Sequence, residues 1–450
     1  MARSVVLALL LALVIATVAF IAFSWRGEIA PIEPPARSSF DTAVIARGAQ
    51  LAAIGDCAAC HTTAQGRAYA GGLPLRTQFG TIYGTNITPD PDTGIGRWSR
   101  AAFLRALRQG VDREGRHLYP AFPYDHFTLL GDDDINALYA FLMTREPVRS
   151  EVPANDLIFP LNFRVLLAGW KFLFLDQSAF RSDPAQSAEW NRGAYLTQGL
   201  GHCGACHTPR NLLGAERKKL YLAGGEVEGW HAPPLNAASR APIPWDAESL
   251  FRYLRHGADE QHEYAAGPMT PVVHNLGTVQ ESEVRAIATY VASVMGAPTA
   301  ERQARAEEVL KIAREAQAAI GEYVREPEKQ PRESADNALQ AGASLYAGSC
   351  AVCHASPQRP PGAASADALH LALSSSVSLR TPTNLVRIIL QGMAPPDGEP
   401  GPMMPGFAGA FTDDQVASLV SYLRSTYSDR PEWPNVKREV RKVRQSLARE

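Results

Sequence analysis

The sequence predicts a mainly α protein: three similar helical domains in tandem, preceded by one N-terminal transmembrane helix. Three observations carry this. The six cysteines fall as three pairs, Cys57/Cys60, Cys203/Cys206 and Cys350/Cys353, spaced 146 and 147 residues apart. The residues around each pair recur, and self-similarity at a fixed period is the mark of repeated units. From Val5 to Trp25 the chain carries no charge, and 21 residues at the helical rise give roughly 31 Å, enough to cross a bilayer core. The 450 residues suit about three domains of ordinary size, and the net charge of −2 gives no hint of a nucleic-acid partner.

The elements follow in chain order. Residues 1–39 read as a transmembrane anchor and a Pro-rich tether. A cleaved signal peptide is the alternative, although no convincing Ala-x-Ala site precedes Arg26. Either reading exports the rest of the chain. Arg3 favours a cytoplasmic N-terminus and Arg26 opposes it, so charge orients the segment weakly. Domain 1 is expected over 40–149, domain 2 over 181–297 and domain 3 over 336–430. Each opens on a short helix: Arg47-Gly48-Ala49-Gln50-Leu51, Arg192-Gly193-Ala194-Tyr195-Leu196 and Ala341-Gly342-Ala343-Ser344-Leu345. A second helix ends at Gly110, Gly257 and, in a looser copy, Gly392, since glycine is a usual helix stop. A closing helix starts near Asp132, Glu281 and Thr412. Acidic first turns suit the helix dipole there, and Thr412 can cap. Strand-like alternation is scarce.

Between the domains, 150–180 is a connector. Its stretch Phe159–Leu175 is too apolar for an idle linker and is expected to pack between domains, with membrane or partner contact as the alternative. Residues 298–335 read as a helical spacer that ends near Gly321. Residues 431–450 read as a basic tail, solvated or docked on a partner or anionic lipid.

Each cysteine pair belongs to a Cys-x-x-Cys-His motif ending at His61, His207 and His354. Two thiols three positions apart on a helical turn reach the two vinyl groups of one haem, and the next residue offers its imidazole to the iron. A redox Cys-x-x-Cys needs no histidine, structural zinc wants four clustered ligands, and disulfides leave the histidines unexplained. Three covalently bound haem c groups are therefore expected, attached at Cys57, Cys60, Cys203, Cys206, Cys350 and Cys353. Met269 and Met404 are the expected distal ligands of the second and third, 62 and 50 residues after their histidines; Met403 is a neighbouring competitor. A thioether ligand raises the reduction potential relative to a bis-imidazole site.

The first domain departs from this, because the corresponding position holds Phe122. His126 is the tentative sixth ligand there, with an open or otherwise filled site as the alternative. His117 is a further histidine nearby, and Met143 reads as core. A histidine ligand would give this haem the lowest potential of the three. His202, His231, His256, His262, His274 and His370 are expected only to pack or to face solvent. No nucleophile–base pair, phosphate loop or dinucleotide fingerprint accompanies the haem motifs, so no substrate-oxidising site is expected.

On these residues the chain resembles the three-haem cytochrome c subunits of membrane-bound bacterial dehydrogenases, from about Asp41 to Arg430. Gly80–Asp90 and Gly94–Trp98 are similar to that family's loop over the first haem. Gly267-Pro268-Met269 and Met404-Pro405-Gly406-Phe407 are similar to its distal-ligand loops. Phe122–Phe127 resembles most the branch that serves molybdenum hydroxylases. The resemblance implies cytochrome c-like domains in the periplasm, held at the inner membrane by a single pass. It also implies electron transfer from a catalytic dehydrogenase subunit to ubiquinone or a downstream cytochrome or oxidase. Quinoprotein alcohol and flavin-dependent sugar-acid dehydrogenases are alternative donors. A general respiratory oxidase cytochrome is a further reading, and a stand-alone haem peroxidase or nitrite reductase is the rival from another class.

Overall fold

The computed structural model describes residues 2–320, 337–354, 371–394 and 403–449. The spacer's end near Gly321 and His370 lie outside them. The chain forms two compact units. The first holds the chain up to Ser187 together with Ala194–Ala205 and Asn211–Ala215; the second holds Ala188–Gly193, Cys206–Arg210 and the residues from Glu216 onward.

In the first unit, α1 (Ala2–Ser24) is the one described helix long and apolar enough to cross a membrane. Then come α2 (Thr42–Ile54), capped by the Asp41 carboxylate, and α3 (Cys57–His61). A small antiparallel sheet of β1 (Pro74–Thr77), β2 (Gly80–Tyr83) and β3 (Asp156–Leu157) follows the motif. The helix α4 (Arg100–Gln109) has Ser99 as its cap and ends on left-handed Gly110. A short α5 (Tyr124–Phe127) leads to α6 (Asp132–Met143), whose first turn is acidic. The connector supplies α7 (Leu167–Phe174). Its apolar side chains divide: Ala168 is buried and Trp170 packs edge-on against Tyr124 and donates to the Leu213 carbonyl at 2.9 Å, whereas Phe159 is 80% and Phe172 76% exposed.

Next in the chain, α8 (Ala188–Tyr195) leads through a π-helical turn at Leu196–Leu200, which belongs to the first unit, to α9 (Gly204–His207), and the chain from Glu216 onward belongs to the second. The hairpin of β4 (Gly225–Val227) and β5 (Trp230–Ala232) precedes α10 (Ala247–His256), which carries a capping box at Asp246 and ends on left-handed Gly257. Helices α11 (Met269–Thr278), α12 (Glu281–Met295) and α13 (Ala300–Ile320) follow. The third copy supplies α14 (Asn337–Ser349), α15 (Ala351–His354), α16 (Ser375–Ser378), α17 (Thr383–Gln391) and α18 (Asp413–Tyr427). Thr412 and Gln415 close a capping box at the start of α18.

The basic tail is not simply solvated: it folds as α19 (Val436–Leu447). Val436, Val440 and Val443 recur at helical spacing and are buried in the third copy's core with Leu419, Val420 and Leu390. Arg444 spans from Asp413 to the carbonyls of Ala408 and Phe411. The cations that read as a tail therefore line the outer face of a core helix.

One crossing is repeated three times. The glycine of the first helix lies against the closing helix so tightly that a Cβ has no room. At Gly48 an added Cβ falls 2.0 Å from the Ala137 carbonyl oxygen and 2.7 Å from Phe141 Cβ. At Gly193 the distances are 1.8 Å to the Ala286 carbonyl oxygen and 2.8 Å to Tyr290 Cβ, and at Gly342 they are 2.3 Å to the Ser418 carbonyl oxygen and 2.7 Å to Tyr422 Cβ. In each case the touched residues are four apart on one face of the closing helix, one turn of ridge and groove. An ion pair braces the first two crossings, Arg47 Nε to Asp134 at 2.9 Å and Arg192 Nε to Glu283 at 2.7 Å.

Candidate haem sites

Each Cys-x-x-Cys-His motif ends on a short helix. Asp56 and His202 hold left-handed backbone before the first two motifs. All six cysteines are free of disulfides. Burial pushes the Cys57 thiol up to about 12, as suits a sulfur in an apolar cradle.

The histidines are oriented by backbone. Nδ1 of His61 donates to the Thr85 carbonyl at 2.6 Å, and Nδ1 of His207 donates to the Pro233 carbonyl at 2.7 Å. A ring nitrogen facing a carbonyl must carry the proton, so the other nitrogen, Nε2, keeps its lone pair. Desolvation lowers the pKa of His61, His207 and His354 alike, which holds the imidazoles neutral. The same carbonyl–histidine arrangement fixes tautomer and ring in metal centres generally. In the third copy, Nδ1 of His354 is buried with no partner among the described residues.

The loops after the first two motifs are stitched to them in the same way. The Gly71 N–H donates to the His61 carbonyl at 2.8 Å, and the Gly224 N–H donates to the His207 carbonyl at 2.7 Å. Both glycines have positive φ, and a Cβ on Gly71 would meet the Thr85 carbonyl carbon at 2.5 Å. The hydroxyls of Thr62 and Thr208 accept from the N–H groups of Tyr69 and Leu222, each at 3.1 Å. This second set of glycines and threonines escaped the sequence reading. Gly71 stands ten residues past His61 and Gly224 seventeen past His207, so no fixed spacing marked them in the sequence.

Further along each copy, the position twelve residues beyond the helix-ending glycine is Phe122, Met269 and Met404, after Gly110, Gly257 and Gly392. In the first two copies the glycine's carbonyl accepts from the N–H eight residues on, Leu118 at 2.7 Å and Ala265 at 2.8 Å, so the loops share one path. Two residues before each of these glycines, Arg108 and Arg255 bind the carbonyls of Leu130 and Val279. Two residues after them stand Asp112 and Asp259, which pair with Arg116 and Arg252. In the third copy, Met404 is clamped to Met393 by a pair of backbone hydrogen bonds of 2.8 and 2.9 Å, while Met403 is 78% exposed.

His126 is buried on α5, with Nδ1 donating to the Gln198 carbonyl at 2.7 Å, the tautomer that leaves Nε2 basic. Both nitrogens of His117 are engaged elsewhere, with the Ser24 carbonyl and with Lys171. Met143 is buried in α6. His262 is held by Asp259 at 2.6 Å and stacks on Trp245 at 3.6 Å. The residues present fit haem: thiols outside any disulfide in all three copies, a neutral imidazole aimed by a carbonyl in the first two, and a methionine twelve residues past the helix-ending glycine in the second and third.

Such a fold and such motifs define a c-type cytochrome, and the comparisons agree. The family model for cytochrome c matches residues 45–146, and that for cytochrome c oxidase, cbb3-type, subunit III matches residues 337–423. The fructose dehydrogenase cytochrome subunit of Gluconobacter japonicus is 35% identical over 413 residues, covering 89% of this chain and 82% of that protein. The gluconate 2-dehydrogenase cytochrome c subunit of Pantoea cypripedii is 34% identical over 447 residues, covering 93% and 91%. A nicotinate dehydrogenase subunit of Pseudomonas putida is 47% identical over 425 residues, 94% of this chain but 34% of that protein. The chain thus spans about a third of the length of that relative. It belongs to the family of dehydrogenase cytochrome c subunits, carries covalently bound haem c, and transfers electrons in partnership with a catalytic subunit.

Proposed function

We propose that the chain carries three haem c groups and passes electrons from a periplasmic dehydrogenase to membrane ubiquinone or the respiratory chain. The observation that carries this is the threefold recurrence of one frame. A Gly crossing, a Cys-x-x-Cys-His helix and a residue twelve past a helix-ending glycine appear together three times. Cys57, Cys60, Cys203, Cys206, Cys350 and Cys353 form the thioethers. His61, His207 and His354 are the proximal ligands, Met269 and Met404 the distal ones, and His126 the sixth ligand of the first haem. The domains are taken as 40–149, 181–297 and 336–430, with α1 as the anchor and the haem domains in the periplasm.

Haem iron, when bound, supplies reversible one-electron chemistry. The chain's own work is to hold each group rigid, exclude water and set its potential. Carbonyls of Thr85 and Pro233 keep His61 and His207 basic at Nε2. Met269 and Met404 supply sulfur, which raises potential, and Phe122 withholds it from the first site. The donor is taken to be a molybdenum hydroxylase acting on an N-heterocycle or aldehyde. The 47% identity to a nicotinate dehydrogenase subunit and the Phe122–Phe127 sequence support this. The chain itself is proposed to have no substrate-oxidising site.

Haem quantified on the denatured, purified protein should give three equivalents per chain; two or fewer would overturn the threefold reading. Affinity capture of the full chain from its native membrane should bring a molybdenum-containing subunit, whereas a quinoprotein or flavoprotein would reassign the donor. His126→Gln should raise the first haem's potential. An unchanged spectrum and potential would exclude His126 as a ligand.

A further inference from the structure

We propose that the segment Ile158–Leu173 rests in the interfacial layer of the bilayer beside α1, giving the first unit a second, monotopic contact with lipid. This rests on the reading of α1 as a membrane anchor. The segment is joined to the last turns of that helix. Phe20 reaches to 3.6 Å of where a Cβ on Gly169 would stand, and Phe23 meets Phe172 edge-on at 6.0 Å. A buried polar chain fixes the join: His117 Nε2 donates to the Ser24 carbonyl at 2.8 Å, and Lys171 Nζ donates to His117 Nδ1 at 2.9 Å.

The same lysine also donates to the carbonyls of Gln109 at 2.7 Å and Gly110 at 2.5 Å, the end of α4. Lys171 is thereby turned into the protein. The other charged side chain between Leu157 and Leu175, Arg164, donates to the His117 carbonyl at 3.0 Å and lies over Tyr119 at 5.0 Å. With both cations facing inward, the outward face is Ile158, Phe159, Phe163, Phe172 and Leu173, all exposed. Trp25, at the exit of α1, is 73% exposed.

A contiguous apolar patch of this kind needs a cover. A docking protein would be expected to meet a polar rim, but this face carries no outward charge. It also continues directly from α1, so a protein seated on Phe172 would have to enter the headgroup layer. Aromatic and aliphatic side chains without charge, next to an interfacial tryptophan, are the pattern of a segment lying in the plane of the membrane surface.

The test uses the full-length holoprotein in vesicles of phospholipid with a photoactivatable group shallow in the acyl chain, followed by peptide mass spectrometry. Adducts on both α1 and Phe159–Leu173 are expected. Phe172→Ser with Leu173→Ser, checked for an unchanged haem spectrum, should lose segment adducts at least about fivefold while α1 adducts persist, since two large apolar contacts are removed. Adducts on α1 alone overturn this inference and leave the anchor intact. Adducts on neither overturn the anchor reading and the inference with it. Protection of the segment by a catalytic subunit in detergent, with no lipid adducts, assigns the face to protein and also overturns it.

Discussion

The first and second copies share much of one frame and differ at the position proposed for the distal ligand. Gly48 and Gly193 cross their closing helices alike, Arg47–Asp134 and Arg192–Glu283 brace them, and Gly71 and Gly224 clamp the histidine carbonyls. Arg108 and Arg255 cap the same turn, and Asp112 and Asp259 stand two residues beyond the helix-ending glycine. Yet twelve residues past that glycine one copy has Phe122 and the other Met269. The lesson is that frame and ligand are separable. Backbone contacts build the frame, and on the proposed reading one side chain on a loop tunes the haem within it.

The comparison breaks hardest at the crossing glycines. Gly48→Ala and Gly193→Ala each drive a methyl into a backbone carbonyl that cannot move without its helix. Each should cost more than about 3 kcal/mol by denaturant unfolding, with loss of the affected copy's haem spectrum. A cost under about 1 kcal/mol would mean the helices slide apart freely. Exchanging the distal residues comes next. Phe122→Met, made together with His126→Gln to clear the sixth position, should raise the first haem's potential and add a sulfur-to-iron charge-transfer band, and Met269→Phe should lower the second and remove one. Both shifts should be a sizeable part of the roughly 0.8 V that axial ligands span. If spectroelectrochemistry finds that double variant silent, position twelve is not the distal slot.

The braces should differ modestly. Asp134 is nearly buried, its side chain 5% exposed, whereas Glu283 is 22% exposed. Arg47→Ala should therefore cost more, about 2 kcal/mol against about 1 for Arg192→Ala, although Tyr195 also donates to Asp134 at 2.8 Å. Equal costs would place the stabilisation in packing alone.

The smallest effect concerns Lys171, on α7 in the connector that follows the first copy. Desolvation lowers its pKa from the usual lysine value to about 7. A cation depressed on folding takes up a proton on unfolding between that pH and its ordinary value. The native state should thus gain stability as pH rises through 7 toward 10, and Lys171→Met should flatten that rise. Matching slopes for the two proteins would show that Lys171 stays charged in the fold.

Much of the candidate site was legible before any coordinates. Cys-x-x-Cys-His is local chemistry, so spacing alone located it three times, and helix ends were marked by Gly110 and Gly257 and by the Thr412 cap. The basic tail misled because six cations near the C-terminus hide a valine stripe at i, i+4 and i+7 that buries as α19. Phe159–Leu175 was only partly legible: apolar residues suggested burial, which Ala168 and in part Trp170 show, but Phe159, Phe163, Phe172 and Leu173 are exposed.

The sequence by itself determined where the Cys-x-x-Cys-His motifs fall, that their surroundings recur and that an apolar helix leads the chain. Those depend on residue type and spacing within a few turns. Only the tertiary structure decided which carbonyl orients His61 and His207, that three glycines are close-contact points rather than mere helix breakers, and that Lys171 reaches back to His117, which in turn holds Ser24. Those choices join residues tens of positions apart, where sterics and desolvation between elements, rather than local periodicity, select the partner.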